Sequence, residues 1–433
     1  MNPERPDIQL LLTGDELMSG DTVDSNSSML AQHLAPLGLT PGRRVTLGDD
    51  RERLVEELSA MSRVADAVIV NGGLGPTIDD LTAEIVAAVA GCDLAEHAQA
   101  LEELQAWCAR RGLELNAANR KQALLPKDCA LIHNPVGSAP GFCVTVGKCL
   151  VLCTPGVPGE LRAMLPALAE RLAEHLPVAS RREILRLQTF GIGESTAQQL
   201  IRDHCPDWPD AVTLSFRAGA PQLEIKLGVD GPADLPLQNA CREQLESLFG
   251  DHIIGEGDMR LAARVIELAA SRGLKLTTAE SCTGGAIAAM ITQIPGSSAV
   301  FPGGFVTYSN ALKHSVLGVR EETLAAHGAV SEETVREMVA GALNAASADL
   351  AVAVSGIAGP DGGSDDKPVG MVWLAWGDRE HIETICLHWP VERQLFQTMV
   401  AAAALDMLRR RLLGISALPR YFAQRRMRAA RVE

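Results

Sequence analysis

The sequence predicts a multi-domain α/β protein. Short apolar runs, such as residues 8–12 and 67–70, alternate with amphipathic, helix-like stretches along the chain, which is the pattern of strands that are followed by helices. Several of these runs lead directly into loops rich in glycine, proline and aspartate, and such loops at the carboxyl ends of strands commonly bind ligands. At 433 residues the chain exceeds one ordinary core, so we expect roughly two to four domains.

The pattern of apolar residues changes twice along the chain, which divides it into three regions. The first region contains continuous apolar runs of the kind found in buried parallel strands, whereas the second contains alternating runs that favour half-exposed strands. A third region returns to the first pattern and ends in a long predicted helix. We therefore predict a parallel-sheet domain, a small α+β domain, an α/β domain and a basic tail, over residues 1–170, 182–257, 258–415 and 416–433 respectively.

Charge and composition exclude some classes of function. The chain is 47% hydrophobic and 21% charged, as in a globular protein with sizeable cores. Its formal net charge of −15 argues against nucleic acid as a partner, because binding to phosphate groups requires a dominant basic surface. Arginines are nevertheless concentrated from residue 409 onward. We interpret that stretch as a solvated helix end, with an RNA- or membrane-binding patch as the alternative.

The cysteines and the first residues predict a cytoplasmic location. The ten cysteines include no C-x-x-C pair and most lie singly in apolar runs, which is typical of free thiols in a reducing compartment. Residues 1–6 lead directly into a strand-like run without the apolar region of a signal peptide. No segment has the run of about 18 apolar residues that spans a membrane, so we expect no membrane partner.

The most informative segment is T-T-A-E-S-C-T-G-G at residues 277–285. It places the hydroxyl of Ser281 at a predicted strand-to-helix junction, near the positive end of the helix dipole. Gly284 and Gly285 can expose backbone N–H groups there to an anion or an oxyanion. The alternative is that Ser281 or Thr283 is an ordinary cap of the following helix.

Two further segments carry candidate chemistry. G-G-F-V-T-Y-S-N-A-L-K at 303–313 contains one of only two tyrosines. Tyr308 and Lys313 could supply the proton-transfer groups that an uncharged serine requires, provided that burial lowers the pKa of the lysine; an ordinary surface lysine is the alternative. S-G-I-A-G-P-D-G-G at 355–363, followed by K-P-V-G at 367–370, offers a backbone cradle for a phosphate or a ribose, although by itself it is compatible with any turn.

These segments occur together with L-G-V-R at 317–320 and H-G-A-V-S-E at 327–332. In this order and spacing they closely resemble the nicotinamide-nucleotide amidase domain of the CinA (competence/damage-inducible) family, over nearly all of residues 258–415. The resemblance implies hydrolysis of the carboxamide of nicotinamide mononucleotide to a carboxylate and ammonia, a step of pyridine-nucleotide salvage that needs no cofactor. Matched residue by residue, the catalytic positions of the family fall on Ser281 (the nucleophile), Tyr308 and Lys313.

The same segments provide the expected substrate contacts. We expect the substrate to lie against Thr283, Gly284, Gly285, Gly304, Asn310, Ser355, Gly356 and Gly359. Cys282 is a rival nucleophile, because a thiolate is intrinsically the stronger one. Adjacent residues that leave a strand point in different directions, so only one of Ser281 and Cys282 can face the substrate. The resemblance favours Ser281.

The first domain carries its own motifs, T-G-D-E-L at 13–17, G-G-L-G-P-T-I-D-D-L-T at 72–82, N-R-K-Q-A at 119–123, N-P-V-G-S-A-P-G at 134–141 and T-P-G-V-P at 154–158. Together they resemble the molybdopterin-binding, MoaB-like domain that forms the other half of CinA proteins. The resemblance implies metal-dependent hydrolysis of ADP-ribose. We expect the nucleotide to contact Gly72, Gly73, Gly75, Thr77, Asn119 and Lys121.

The expected metal site of this domain is the pair Asp79 and Asp80. Carboxylates beside a glycine loop suit a hard divalent cation together with a pyrophosphate. The alternative is that these residues cap the helix that follows, and the same ambiguity applies to Asp15 and Glu16.

Two classes of function compete. One is a homodimeric, bifunctional enzyme of nucleotide salvage that acts on nicotinamide mononucleotide and ADP-ribose. The other is a nucleotide-sensing scaffold with a binding-only first domain, associated with competence. A nucleophile and a base beside a phosphate cradle favour the enzyme, since a binding protein needs neither. A molybdenum-cofactor enzyme would rest on the first domain alone and would leave the later motifs unexplained.

Overall fold

A computed structural model describes residues 6–176 and 182–426 of the chain. The chain divides into two compact units, Met1–Glu183 with Asp230–Pro232 and Ile184–Val229 with Ala233–Glu433. Both contain sheets covered by helices, so the α/β class predicted from the alternation of apolar and amphipathic stretches is confirmed. The end of the predicted basic tail, residues 427–433, lies outside the described residues.

The strands of the first unit are β1 (Ile8–Thr13), β2 (Pro41–Leu47), β3 (Ala67–Asn71), β4 (Leu94–Glu96), β5 (Leu124–Pro126), β6 (Ala130–Ile132), β7 (Gly141–Val146) and β8 (Cys149–Thr154). A six-stranded sheet has the order β2-β1-β3-β8-β7-β6. The strands β2, β1, β3 and β8 are parallel, as predicted, but β7 runs antiparallel to its two neighbours, β8 and β6. The reason is the tight turn between β7 and β8, in which Gly147 has φ +61°, because only antiparallel strands can be joined so directly.

The helices of this unit are α1 (Asp15–Ser19), α2 (Asn26–Leu34), α3 (Arg51–Val64), α4 (Thr82–Ala90), α5 (Ala98–Arg110), α6 (Ala117–Lys121) and α7 (Pro158–His175). Side chains of β1 alternate between two cores. Leu11 packs into the core that contains residues of α3 and α4, whereas Leu10 and Leu12 pack with α2 and α7. Because β1, β3 and β8 are parallel, they end at the same edge of the sheet, and the loops that follow them meet there.

Residues of the predicted middle domain form a second sheet, with strand order β10-β11-β9-β12. Its elements are β9 (Glu183–Thr189), α8 (Glu194–His204), β10 (Thr213–Ala218), β11 (Leu223–Val229), α9 (Leu235–Phe249) and β12 (Ile253–Glu256). This sheet has its own apolar core, yet it belongs to the same compact unit as the C-terminal residues. Gln222, just before β11, accepts a hydrogen bond of 2.9 Å from the backbone N–H of Leu261.

The C-terminal elements are α10 (Leu261–Ser271), β13 (Leu276–Glu280), α11 (Ala286–Thr292), β14 (Gly303–Val306), α12 (Asn310–Leu317), α13 (Glu321–His327), α14 (Glu332–Ala345), β15 (Leu350–Gly356), β16 (Met371–Gly377), β17 (Ile382–His388), α15 (Arg393–Leu413) and α16 (Arg420–Arg425). The sheet order is β14-β13-β15-β16-β17, with β14, β13 and β15 parallel. Residues of α10, α11 and α15 cover one face, and α14 covers the other.

The interpretation of the arginines from residue 409 onward as a solvated helix end is wrong for the first two. Arg409 and Arg410 are 1% and 2% exposed, and the Nε atom of each donates to the fully buried carboxylate of Asp406 across 2.7 Å. Arg410 also forms an ion pair with Asp251. Buried charges require such partners, and the partners come from elsewhere in the fold.

None of the described helices combines the length and the apolar composition that crossing a membrane requires. The ten cysteines are free thiols, and eight of them are buried.

Candidate active site

Ser281 directly follows β13 and lies in the segment that leads into α11; we call residues 280–285, which start at the last residue of β13, the serine turn. The residue is 8% exposed. Its backbone N–H donates to the carbonyl of Val354 across 3.1 Å, so the central strand β15 determines where the serine turn begins. The hydroxyl lies at the carboxyl edge of the parallel strands, which is where α/β proteins bind ligands.

Lys313 lies in α12, and its side chain is hydrogen-bonded to the serine. Its Nζ donates to Oγ of Ser281 across 2.9 Å and to the carbonyl of Thr307 across 2.8 Å. Lys313 is 1% exposed, and burial lowers its pKa from 10.5 to about 8 because water no longer stabilises the ammonium. The interpretation as an ordinary surface lysine is therefore wrong. An amine with this pKa can accept a proton near neutral pH.

The alternative that Ser281 or Thr283 caps α11 is also wrong. The cap is the carboxylate of Glu280, which is fully buried. It accepts the backbone N–H groups of Gly285, Ile287 and Ala288 at 3.0, 3.0 and 2.8 Å and the hydroxyl of Thr283 at 2.7 Å. The positive end of this helix is thus neutralised by the protein itself, and Ser281 is left without a capping role.

The same contacts determine which backbone donors remain for a ligand. The N–H of Gly285 is bonded to Glu280, and that of Gly284 donates to the carbonyl of Ser281 across 3.1 Å. No backbone carbonyl among the described residues accepts the N–H groups of Cys282 and Thr283, and both lie against the thiol of Cys282 itself, which is a weak acceptor. These two amides next to Ser281, unlike those of the glycines, therefore have no strong acceptor among the described residues.

Cys282, the rival nucleophile, is 4% exposed. Burial raises the pKa of its thiol to about 12, so the thiol is protonated near neutral pH and is a weak nucleophile. Its carbonyl accepts a hydrogen bond of 2.9 Å from Gln397 in α15. The thiol of Cys282 is thus buried and protonated, whereas the hydroxyl of Ser281 is hydrogen-bonded to Lys313.

Tyr308 does not contact Ser281 through its hydroxyl, which instead accepts a hydrogen bond from Arg393. The residue is 59% exposed. Arg393, the first residue of α15, donates to Tyr308 Oη across 3.0 Å and to the carbonyl of Gly359 across 2.7 Å. The sequence analysis missed Arg393, since no local pattern connects it to residues 85 and 34 positions away. A guanidinium that is held in place by a side chain and a backbone carbonyl is suited to binding an anionic group.

The predicted cradle at 355–363 has mixed roles. The carbonyl of Gly359 accepts a hydrogen bond from Arg393. Ser355 is buried and its hydroxyl donates to the carbonyl of Ala329 across 2.7 Å. A Cβ atom on Gly356 would lie 2.6 Å from the carbonyl oxygen of Met371, so strand packing alone requires a glycine there.

Two further predicted contacts lie near the start of α12. Gly304 is on the edge strand β14, where a Cβ atom would collide with the hydroxyl of Thr278; packing between β14 and β13 therefore excludes a side chain. Asn310 is the first residue of α12 and is exposed. Its side chain is accessible to a ligand that approaches Tyr308.

In the first unit, a cleft of about 490 Å³ lies at the carboxyl ends of β1, β3 and β8. Of the predicted contacts, it is lined by Gly72, Gly73, Gly75, Asp79 and Asp80. Gly72 has φ +116°, and a Cβ atom there would lie 2.5 Å from the carbonyl oxygen of Thr13, so the loop after β3 approaches β1 as closely as only glycine allows.

The remaining predicted contacts, Thr77 in the loop after β3 and Asn119 and Lys121 in α6, do not line the cleft. Lys121 donates to the backbone carbonyls of Thr77 and Asp80 across 2.7 and 2.9 Å, so it fixes the loop rather than lining the cleft. Thr77 donates from its N–H to the Asp80 carboxylate across 2.8 Å. Asn119 is half-buried in α6. The sequence analysis missed Asp49 and Glu160, which line the cleft from the loop after β2 and from α7.

The expected metal pair fits a cation only in part. Asp49, Asp79, Asp80, Glu16 and Glu160 line the cleft, and no lysine or arginine does so among the described residues. These are oxygen ligands of the kind that Mg²⁺ prefers. In the described ranges, however, no three potential ligands converge as a preformed metal group. Phosphate oxygens of a substrate would have to complete the coordination of any ion held there.

Both halves of the chain match known protein families. Residues 258–412 match the family model described as the CinA C-terminal domain, and residues 9–175 match that described as a probable molybdopterin binding domain. A CinA-like protein of Colwellia psychrerythraea is 48% identical over 424 residues, which cover 97% of this chain and 98% of the relative.

Two other matches carry functional or structural names. The nicotinamide-nucleotide amidohydrolase PncC of Shewanella oneidensis is 38% identical over 416 residues, covering 96% of this chain and 98% of the relative. The crystal structure of the competence/damage inducible protein CihA from Agrobacterium tumefaciens is 47% identical, covers 34% of this chain and 91% of that chain, and has a TM-score of 0.34. Because relatives match the chain over nearly its whole length, it belongs to the CinA-like protein family.

Proposed function

We propose that the C-terminal site hydrolyses the carboxamide of nicotinamide mononucleotide to nicotinic acid mononucleotide and ammonia, with Ser281 as the nucleophile. The observation that carries this proposal is the hydrogen bond of 2.9 Å between Nζ of the buried Lys313 and Oγ of Ser281. The name of the Shewanella oneidensis relative, nicotinamide-nucleotide amidohydrolase, supports the substrate.

Lys313 moves the protons in this scheme. The neutral amine accepts the proton of Ser281 as Oγ attacks the amide carbon, and the resulting ammonium then protonates the leaving nitrogen, which departs as ammonia. Water hydrolyses the acyl-serine by the same route: its proton goes to Lys313, its oxygen binds the acyl carbon, and Lys313 returns the proton to Ser281. The pKa of about 8 suits both directions of transfer.

The oxyanion of the tetrahedral intermediates accepts hydrogen bonds from the backbone N–H groups of Cys282 and Thr283. No backbone carbonyl among the described residues accepts these two N–H groups, and the Cys282 thiol against which they lie is only a weak acceptor. A donor from the residue that follows a nucleophilic serine is common in hydrolases. Donors that are already in place stabilise the developing charge without reorganisation.

Arg393 binds the phosphate of the mononucleotide. Its guanidinium is held between Tyr308 and Gly359, and a planar guanidinium matches the geometry of a phosphate. Tyr308 thus positions Arg393 in this proposal instead of transferring a proton. Substrates without the phosphate should then bind weakly but react by the same chemistry.

The test is to incubate the full-length protein with nicotinamide mononucleotide and to measure ammonia and nicotinic acid mononucleotide in parallel. We expect equimolar products from the wild type and none from the Ser281→Ala variant. Nicotinamide riboside, which lacks the phosphate, is the matched substrate control. Binding of nicotinamide mononucleotide without turnover would support the nucleotide-sensing scaffold instead.

We propose hydrolysis of ADP-ribose to AMP and ribose 5-phosphate as the activity of the first-unit cleft. The specific observation is that Asp49 lies in partial burial close to other carboxylates. Burial raises the pKa of Asp49, and the charges of Asp15, Glu16 and Asp79 raise it further. Such repulsion is relieved by a divalent cation, which would also neutralise a bound pyrophosphate.

In this second scheme the residues of the chain bind and orient the ADP-ribose. The loop with Gly72 and Gly73 allows close approach of the pyrophosphate, and the carboxylates of Asp49 and Asp79 would hold the cation. When bound, that cation would polarise the phosphoryl group and lower the pKa of water. The net reaction adds one water across the P–O–P bond.

A further inference from the structure

The geometry points to Glu280 as the residue that positions Ser281 and Lys313 relative to each other. This inference rests on the proposed amidase function. Glu280 is fully buried and directly precedes Ser281. It does not reach the substrate in the proposed scheme, so it is a positioning residue.

The side chain of Glu280 binds the C-terminal end of the serine turn, where the chain enters α11. Both carboxylate oxygens are engaged: Oε1 by the N–H of Ala288, and Oε2 by the N–H groups of Gly285 and Ile287 and the hydroxyl of Thr283. Hydrogen bonds to a carboxylate are stronger than those between neutral groups. The turn between Glu280 and α11 therefore closes on its own first residue.

The backbone of Glu280 anchors the lysine. Its carbonyl accepts the N–H of Thr307 across 2.8 Å, and the carbonyl of Thr307 accepts Nζ of Lys313 across 2.8 Å. A continuous chain of contacts thus links Glu280 to the base on one side and, through the peptide bond, to Ser281 on the other. A shift of Glu280 would change the distance between Lys313 and Ser281.

The carboxylate also determines which backbone N–H groups can donate to an oxyanion. By accepting the N–H of Gly285, it removes a donor that would compete with the amides of Cys282 and Thr283 for an oxyanion. Glutamine has the same shape, but its NH₂ group would face N–H donors and could not accept from them. Substitution by glutamine should therefore loosen the turn without opening a cavity.

The test compares Glu280→Gln with the wild type in the full-length protein. With nicotinamide mononucleotide, we expect kcat to fall about 10²-fold, the scale for a misplaced reacting group, with KM unchanged. A second readout does not depend on the substrate: a fluorophosphonate probe, in which Oγ of Ser281 bonds to phosphorus, fluoride leaves and the serine proton passes to Lys313. The labelling rate constant should fall in parallel, while the labelling endpoint counts the folded sites.

The matched control is Asp50→Asn, since Asp50 caps α3 through the N–H groups of Glu52 and Arg53; it should keep both rates. If Glu280→Gln folds poorly, Thr283→Val removes only one of the four contacts and should still slow labelling. Wild-type kcat and labelling rate per folded site in both variants would overturn the role of Glu280. Failure of the wild type to release ammonia, with normal labelling, would instead overturn only the proposed substrate.

Discussion

Lys313 and Ser281 are 32 positions apart in the sequence, yet Nζ of the lysine lies 2.9 Å from Oγ of the serine. The lysine is 1% exposed and is also bonded to the carbonyl of Thr307. Such burial of an amine is unfavourable for folding. Such burial is expected in an active site where the amine acts as a base, because a substantial fraction of it must be uncharged at physiological pH.

The first prediction concerns the nucleophile. Ser281→Ala should lower kcat for nicotinamide mononucleotide by at least about 10³-fold, because the covalent route is lost. Cys282→Ala is the matched control, since its thiol is protonated and buried; it should keep most of the activity. Ammonia release under saturating substrate is the measurement. Loss of activity in Cys282→Ala with retention in Ser281→Ala would reverse the assignment.

The second prediction concerns the base and its pH dependence. Lys313 accepts a proton only when neutral, so kcat/KM should rise with pH through about 8 and level off above it. Lys313→Arg keeps the positive charge but cannot deprotonate, and it should be as inactive as Lys313→Met. Activity in the arginine variant would show that residue 313 acts only as a charge. His314, whose ring nitrogen contacts the carbonyl of Val319, would then be the next candidate base.

The third prediction concerns stability. The folded pKa of Lys313, about 8, lies below its ordinary value of 10.5, so the folded state binds fewer protons than the unfolded state between these pH values. Wild-type stability should therefore rise with pH across this window, and the full penalty applies below it. Lys313→Met should be more stable than the wild type at pH 7, by up to roughly 3 kcal/mol at about 1.4 kcal/mol per pKa unit.

Urea unfolding followed by tryptophan fluorescence measures this difference, since Trp373, Trp376 and Trp389 lie in the C-terminal sheet region. The exposed Lys275 provides the control variant Lys275→Met, whose stability relative to the wild type should not change between pH 7 and pH 10. Equal stability of Lys313→Met and wild type at pH 7 would mean that the lysine is hydrated in solution.

The fourth prediction concerns substrate binding. Arg393→Ala should raise KM for nicotinamide mononucleotide roughly 10- to 100-fold, the range for hydrogen bonds to a charged group. Arg393→Lys should recover only part of this, because one ammonium cannot span both Tyr308 and Gly359 as the guanidinium does. Nicotinamide riboside should be hydrolysed equally by wild type and variant. The surface variant Arg264→Ala is the control, and equal losses on both substrates would exclude a phosphate contact.

The fifth prediction concerns the first-unit cleft. The full-length protein should release AMP from ADP-ribose with added Mg²⁺ or Mn²⁺ and lose this activity in chelator. Asp49→Asn and Asp79→Ala should each abolish it, because both remove ligands from a cleft whose described lining has no basic residue. Nicotinamide mononucleotide hydrolysis should be unchanged in both variants. Tight ADP-ribose binding without AMP under either metal would identify the cleft as a sensor.

Much of the fold is determined by patterns that are local in the sequence. The run at 67–70 is apolar at every position, and β3 is buried on both faces between two parallel strands. The helix predicted at 393–413 is α15, which is buried along much of its length. Other features depend on neighbours: β10 (Thr213–Ala218) and the antiparallel direction of β7 follow from pairing with β11 and β8.

In the candidate site, too, some features are determined by local sequence and others by contacts with distant elements. The sequence by itself determined that Ser281 leaves a strand, that glycines follow it, and that Lys313 lies on the next strand–helix unit, because these depend on residue spacing. Only the tertiary structure decided that Lys313 is buried against the serine, that Glu280 rather than a hydroxyl caps α11, and that Arg393 joins Tyr308 to Gly359. Burial, pKa and ion pairing depend on side chains from distant elements, and the packing of those elements is not encoded in any single stretch of the chain.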